Sequence, residues 1–121
     1  MNFNNNLPIY VQIMDYIKKE LLKGNITIGE KLPSVRAMSS KFKVNPNTVQ
    51  RAYQELERES ITFTKRGKGT FATEDEKVVY KLKKEMSKEI TNNFISNMRE
   101  IGFIKEEILR FLEEEFKKEG S

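Results

Sequence analysis

Apolar residues Ile9, Ile13, Ile17 and Leu21 recur every four positions behind Leu7-Pro8, with Tyr10, Met14 and Leu22 beside them. The spacing predicts an amphipathic helix that ends near Gly24. Asn25 to Glu30 reads as a loop turning at Gly29. Ser34, after Leu32-Pro33, is a good N-cap for a short helix reaching about Phe42, with Val35, Met38 and Phe42 inward. Lys43-Val44 is a tight turn. Asn45-Pro46 then opens a further helix: Asn caps, and Pro suits the first helical position because its missing N–H has no partner there. This helix runs to about Glu59. Val49, Ala52, Tyr53 and Leu56 share its apolar face, while Asn47, Gln50, Arg51, Gln54 and Arg58 share the opposite one.

The period then changes. Ile61–Thr64 and Thr70–Thr73 are strand-prone runs flanking Lys65-Arg66-Gly67-Lys68-Gly69, which predicts a β-hairpin with a basic tip. From Glu76 the helical period returns. Val79, Leu82, Met86, Ile90, Phe94, Met98 and Ile101 form a stripe that Gly102 breaks. Ile104, Ile108, Leu112 and Phe116, with Leu109 and Phe111, form a second one. The predicted architecture is mainly α with a small β-hairpin: a winged helix-turn-helix over residues 1–75, followed by a two-helix dimerisation tail over 76–121.

Composition narrows the chemistry. The 121 residues include no Cys, His or Trp. Disulfides, thiolate metal sites and the commonest general base are excluded, so an enzyme would have to work with carboxylates, Lys, Tyr or Ser alone. Gly67-Lys68-Gly69-Thr70 lacks the spacing of a phosphate loop, and Glu113-Glu114-Glu115 has no partner ligands at metal spacing. No cofactor and no enzymatic activity are expected. No apolar run reaches the roughly 18 residues of a membrane span. The polar, uncharged Met1–Asn6 is not a targeting peptide, so a cytoplasmic location without a membrane partner is expected.

The net charge is +4, and it is unevenly placed: Lys31–Lys68 holds 9 basic and 3 acidic residues, whereas residues 76–121 hold 10 of each. A basic block beside a neutral one suits one half facing a polyanion and the other facing protein.

Two helices joined by a tight turn and followed by a hairpin make a winged helix-turn-helix. In that arrangement the second helix enters the major groove of DNA, and Asn, Gln and Arg match base edges. Asn45, Asn47, Thr48, Gln50 and Arg51 lie at its leading end, where free N–H groups would also meet phosphate. At the wing tip, Lys65, Arg66 and Lys68 supply charge, and Gly67 and Gly69 let the backbone approach a sugar–phosphate chain. Tyr10, Tyr53 and Phe71 read as core residues. In the tail, Leu82, Met86, Ile90, Phe94, Met98, Ile108 and Leu112 read as a homodimer interface. Two-fold pairing would set two reading helices roughly 34 Å apart on a pseudo-palindromic site in double-stranded DNA.

Three ordered blocks carry a resemblance: Leu32-Pro33-Ser34-Val35-Arg36, Val44-Asn45-Pro46-Asn47-Thr48-Val49-Gln50-Arg51-Ala52-Tyr53-Gln54-Glu55-Leu56-Glu57, and Arg66-Gly67-Lys68-Gly69-Thr70-Phe71. With the opening Pro8-Ile9-Tyr10-Val11-Gln12-Ile13, they resemble the GntR family of bacterial transcription regulators, and its small YtrA-like branch. The likeness covers about residues 7–73. It implies a dimeric repressor with DNA contacts from Arg36, the start of the third helix and the wing glycine region, and Ser34 is expected to bind DNA beside Arg36. Arg36 takes the place of the family's phosphate-contacting Arg, and Thr48 that of its Thr. Two departures stand out. Asn45-Pro46 replaces a common Ser-Arg or Thr-Arg, which removes an Arg base contact. Ser60 replaces a common Gly, which removes a glycine helix cap. A small-molecule effector held between tail and winged domain is a further expectation. The competing reading is a protein-interaction adaptor that reuses the winged domain, which would place exposed apolar anchors on the outer face of the third helix.

Overall fold

The computed structural model describes residues 3–120. Its elements run α1 (Ile9–Lys23), α2 (Val35–Phe42), α3 (Pro46–Arg58), β1 (Thr62–Lys65), β2 (Gly69–Ala72), α4 (Glu76–Glu100) and α5 (Lys105–Lys118). The starts of α2 and α3 are capped as the sequence predicts. Ser34 Oγ accepts the Ala37 N–H at 3.0 Å, and Asn45 Oδ1 accepts that of Asn47 at 2.8 Å. The turn between them passes through Lys43 at φ 56°, a left-handed conformation.

α1 and α2 both pack on α3. Their apolar stripes close one core in which Ile13, Ile17, Val49 and Leu56 are fully buried, with Met14, Leu21, Leu32, Met38, Ala52 and Tyr53 around them. Burying a side chain of this size contributes roughly 1.5–3 kcal/mol, so the core fixes where the polar face of α3 points. Val35 and Phe42, predicted inward, are only half-buried. Phe42 sits in a satellite cluster with its ring edge-on to Phe3 and Tyr16, at 6.2 and 5.0 Å.

β1 and β2 pair antiparallel, Thr62 opposite Ala72 and Lys65 opposite Gly69. Each strand is displaced by one residue toward the turn relative to the prediction. The reason is that the turn is tighter than the glycine pair suggests: the Lys68 N–H donates to the Lys65 carbonyl, so Arg66-Gly67-Lys68 alone links the strands. The segment before α2 joins β2 through an isolated β-bridge. Leu32 N–H donates to Thr70 O and Ala72 N–H to Glu30 O, both at 2.8 Å, with Lys31 bridged to Phe71.

The chain divides into two compact units, Met1–Lys83 and Lys84–Ser121. In the second unit the turn after α4 passes through Gly102, the Phe103 and Phe111 rings meet edge-on at 6.0 Å, and the Glu107 carboxylate accepts the Ile104 N–H at the head of α5. Among the described residues, no helix is long and apolar enough to cross a membrane.

Candidate nucleic-acid interface

Burying Val49, Ala52, Tyr53 and Leu56 turns Asn47, Gln50, Arg51 and Gln54 outward, and all four are exposed. Thr48 is half-buried at the edge of this face. On the wing side, Gln50 and Gln54 line a groove with Thr64 and Thr70 of the hairpin, floored by Val35 and Tyr53. Thr64 Oγ1 donates to the Glu57 carboxylate, which ties the end of α3 to β1. On the other side, Asn47, Thr48 and Arg51 line a recess with Ile9 and Tyr10 of α1. The polar face of α3 therefore has two flanks, one walled by the wing and one by the start of α1.

Tyr53 supports this arrangement from beneath. Its hydroxyl donates to the Pro33 carbonyl at 2.7 Å, which pins the segment leading into α2 against α3. Burial pushes its phenol pKa up to about 12.

The first turn of α3 differs from expectation. The sequence suggests free N–H groups for a phosphate, yet Pro46 has none. Asn45 Oδ1 takes the Asn47 N–H, and the Asn45 carbonyl takes that of Thr48 at 2.9 Å. The residues that mark the helix start are the ones that occupy its donors, so an anion here must be met by side chains. Ser34 Oγ is likewise engaged as the α2 cap, although its O–H remains available to donate.

Exposed cations cluster around the face. Arg36 stands on α2, Lys65, Arg66 and Lys68 on the wing, and Arg51 on α3. Among the described residues, none of these five lies within ion-pair distance of a carboxylate. Ion-paired cations include Lys18 with Glu59 at 2.8 Å, Lys19 with Asp15 at 2.9 Å and, at the far end of α3, Arg58 with Glu55 at 3.2 Å. Two of the five rest instead on aromatic rings. Lys65 Nζ stands 4.8 Å from the Phe71 centroid and 5.7 Å from that of Phe63, and these two rings stack across the hairpin. Arg51 stacks on Tyr10.

Gly67 and Gly69 both adopt positive φ, at 76° and 118°. A Cβ on Gly69 would stand 2.8 Å from Lys31 Cε, so the glycine makes room for the Lys31 stem and its ammonium joins the wing. Sequence reading missed Lys31 as part of this patch. The signal was its place in the basic block, because the bridged segment that carries it has no alternating pattern.

In the tail, the predicted interface residues separate. Leu82 (5% exposed) and Ile108 (6%) are already covered within one chain. Met86, Phe94, Met98 and Leu112 are half-buried, and Ile90 is 62% exposed. Ile101, Ile104, Leu109, Phe111 and Phe116, outside the predicted set, are exposed as well.

A capped helix pair with a tight turn, an outward polar reading face and a basic hairpin beside it define a winged helix-turn-helix domain. The family model of bacterial regulatory proteins, gntR family, matches residues 9–72. The chain belongs to the GntR family and is a DNA-binding transcription regulator. It is 46% identical over 107 residues to the helix-turn-helix regulator YhcF of Bacillus subtilis, covering 88% of each chain. It is 51% identical over 70 residues to the repressor YtrA of the same organism, covering 58% of this chain and 54% of YtrA. A GntR family regulator from Listeria monocytogenes superposes with a TM-score of 0.88 at 43% identity, over 93% of this chain and 98% of that one. The DNA-binding domain of AraR, solved in complex with an operator, superposes with a TM-score of 0.53 at 27% identity, over 55% of this chain and 81% of that one.

Proposed function

We propose that the protein is a homodimeric repressor of the cytoplasm that binds a pseudo-palindromic operator. Residues 1–75 form its DNA-binding domain and residues 76–121 its dimerisation region. α3 enters the major groove behind Asn45, with Asn47, Thr48, Gln50 and Arg51 toward the duplex. Ser34 and Arg36 lie along a flanking phosphate strand. Lys65, Arg66, Gly67, Lys68 and Gly69 follow the backbone into the neighbouring minor groove. The observation that carries this reading is the set of exposed cations around α3 without carboxylate partners among the described residues. Cations held for a polyanion are left unpaired, because an internal ion pair would have to be broken first.

Pairing of the tail with a second copy is supported by its exposed apolar residues, centred on Ile90 of α4 and on Leu109, Phe111 and Phe116 of α5. Repression is supported by the likeness to YtrA, a named repressor. A small-molecule effector would act by changing the separation of the two α3 helices. Titrating operator affinity across a metabolite panel tests this, and an unchanged affinity throughout leaves control to the protein's own abundance. The adaptor reading gains nothing from α3, whose outer face offers Asn47, Gln50, Arg51 and Gln54 in place of apolar anchors.

The test is selection of duplexes from a random pool by the full chain. The expected product is an inverted repeat with half-sites about one helical turn apart. Arg36→Ala and Arg66→Ala should each weaken binding to all duplexes and lower the salt slope by about 0.9. Gln50→Ala should relax preference at one or two base pairs by about 1–3 kcal/mol. An unenriched pool, or binding indifferent to salt, overturns the proposal.

A further inference from the structure

We propose that Tyr10 is a positioning residue. It holds Arg51 on the α1 side of the reading helix as a clamp for a backbone phosphate and leaves sequence readout to the wing side of α3. This rests on α3 being the helix that meets the duplex.

The geometry is specific. The Arg51 guanidinium carbon lies 4.0 Å from the centroid of the Tyr10 ring, and Arg51 Nη2 donates to the Tyr10 hydroxyl at 3.3 Å. A guanidinium over an aromatic face is attracted by the ring quadrupole and loses side-chain freedom that it would otherwise lose on binding. The hydroxyl takes one of five N–H donors, so the remaining edge of the fork stays open. Among the described residues no carboxylate competes for it. The pair borders the recess it shares with Ile9, Asn47 and Thr48, at the leading end of α3.

Two features make phosphate the ligand. A helix N-terminus ordinarily offers an anion its free N–H groups, but at α3 Pro46 has none and Asn45 takes those of Asn47 and Thr48. A charge at this end must come from a side chain, and Arg51 supplies it. Its contacts with Tyr10 also hold the guanidinium on the α1 flank of α3. Gln50 and Gln54, on the opposite flank, have no such tether in the described structure and remain free to pair with bases.

The test measures binding of the full chain to two duplexes, one selected by the protein and one of scrambled sequence, from about 50 to about 300 mM salt. Arg51→Ala should weaken both duplexes by the same factor, about tenfold, and lower the salt slope by about 0.9. Tyr10→Ala should weaken both by roughly fivefold, and the double variant should bind no worse than Arg51→Ala alone, because the two residues act as one unit. Tyr10→Phe keeps the ring and should stay within about twofold of the parent. Tyr10→Leu keeps the apolar body against α3 and serves if Tyr10→Ala melts early. The Arg51 Nε–H resonance of the free protein should move in Tyr10→Leu, which reports the pairing without DNA. A loss in Arg51→Ala confined to the selected duplex would make Arg51 a base reader and overturn the clamp. Additive losses in the double variant, or a motionless resonance, overturn it too. A parent protein that binds neither duplex removes the regulator reading itself and the clamp with it.

Discussion

The two units of the chain differ in how far they close an apolar core, although Leu7, Ile9, Ile28 and Tyr80 of the first also stay exposed. In the first, α1, α2 and α3 close around Ile13, Ile17, Val49 and Leu56, all fully buried, and the charge that surrounds them is basic. In the second, Ile108 is buried while Ile90, Ile101, Ile104, Leu109, Phe111 and Phe116 remain exposed, on a segment that carries 7 basic and 9 acidic residues. A domain that closes an apolar core and exposes unpaired cations is finished as a fold and unfinished as an electrostatic partner. A segment that exposes apolar groups and has no excess of cations is the reverse. The first kind of incompleteness is answered by a polyanion. The proposed dimer answers the second.

The sharpest break of this comparison is a pair of truncations. Leu56→Ala removes a fully buried side chain from α3 and should cost about 3–5 kcal/mol in urea unfolding, enough to abolish DNA binding through loss of the fold. Ile90→Glu changes a side chain that is 62% exposed and should leave the unfolding of the first unit nearly unchanged. In sedimentation, however, it should shift the proposed dimer toward monomer, raising its dissociation constant by at least about tenfold. If Ile90→Glu destabilises the first unit as Leu56→Ala does, the two units are not separate in the way described.

A smaller effect tests whether the first unit is finished inside. Tyr53 is buried and its phenol pKa is pushed up to about 12 by desolvation, against an ordinary value near 10. Below pH 10 both folded and unfolded chains keep the proton, so the group contributes nothing to the pH dependence there. Between about 10 and 12 the unfolded chain releases the proton and the folded one retains it. Stability must then fall as pH rises, by up to about 3 kcal/mol. Tyr53→Phe loses the bond to the Pro33 carbonyl, at about 1 kcal/mol, but should flatten the alkaline slope. Chemical denaturation at pH 9 and above, parent against variant, reads the difference. Equal slopes would mean that Tyr53 reaches solvent in the folded state.

Much of this was legible in the residues themselves. Ser34 and Asn45-Pro46 start their helices where the sequence places them, because a cap is a local interaction between neighbours. The outward set on α3 follows from its 3.6-residue period. What escaped reading depends on distant partners. The bridge at Lys31 exists only because β2 is there to bond it, and Lys31 reaches the wing for that reason. Tyr10 looked like core by residue type, and its contact with Arg51 joins two helices 41 positions apart. The occupied N–H groups of α3 were implicit in the cap, since a donor satisfied by Asn45 is not free for an anion. In the tail, periodicity marks every stripe residue alike and does not separate Leu82 and Ile108, which one chain covers, from Ile90, which it does not.

The smallest effect concerns Ser60, where the sequence departs from a glycine. The helix end keeps the glycine geometry regardless: Ser60 sits at φ 65°, its N–H donates to Glu57 O at 2.9 Å, and that of Ile61 donates to Leu56 O at 3.0 Å. The backbone bonds that turn the chain from α3 into the wing therefore hold a Cβ in a left-handed conformation that costs about 1 kcal/mol or more. Ser60→Gly removes that strain but gives the unfolded chain more freedom, which returns part of the gain. The net expectation is a stabilisation of about 0.5–1 kcal/mol, seen as a rise of a few degrees in melting temperature. The same substitution at Ser40, inside α2 and exposed, should lower stability by a similar amount, because a regular helix has no use for glycine. Neither change touches the tail, so the dissociation constant of the proposed dimer should stay where it was. A destabilised Ser60→Gly would mean that the side chain holds the corner through contacts that outweigh its strain.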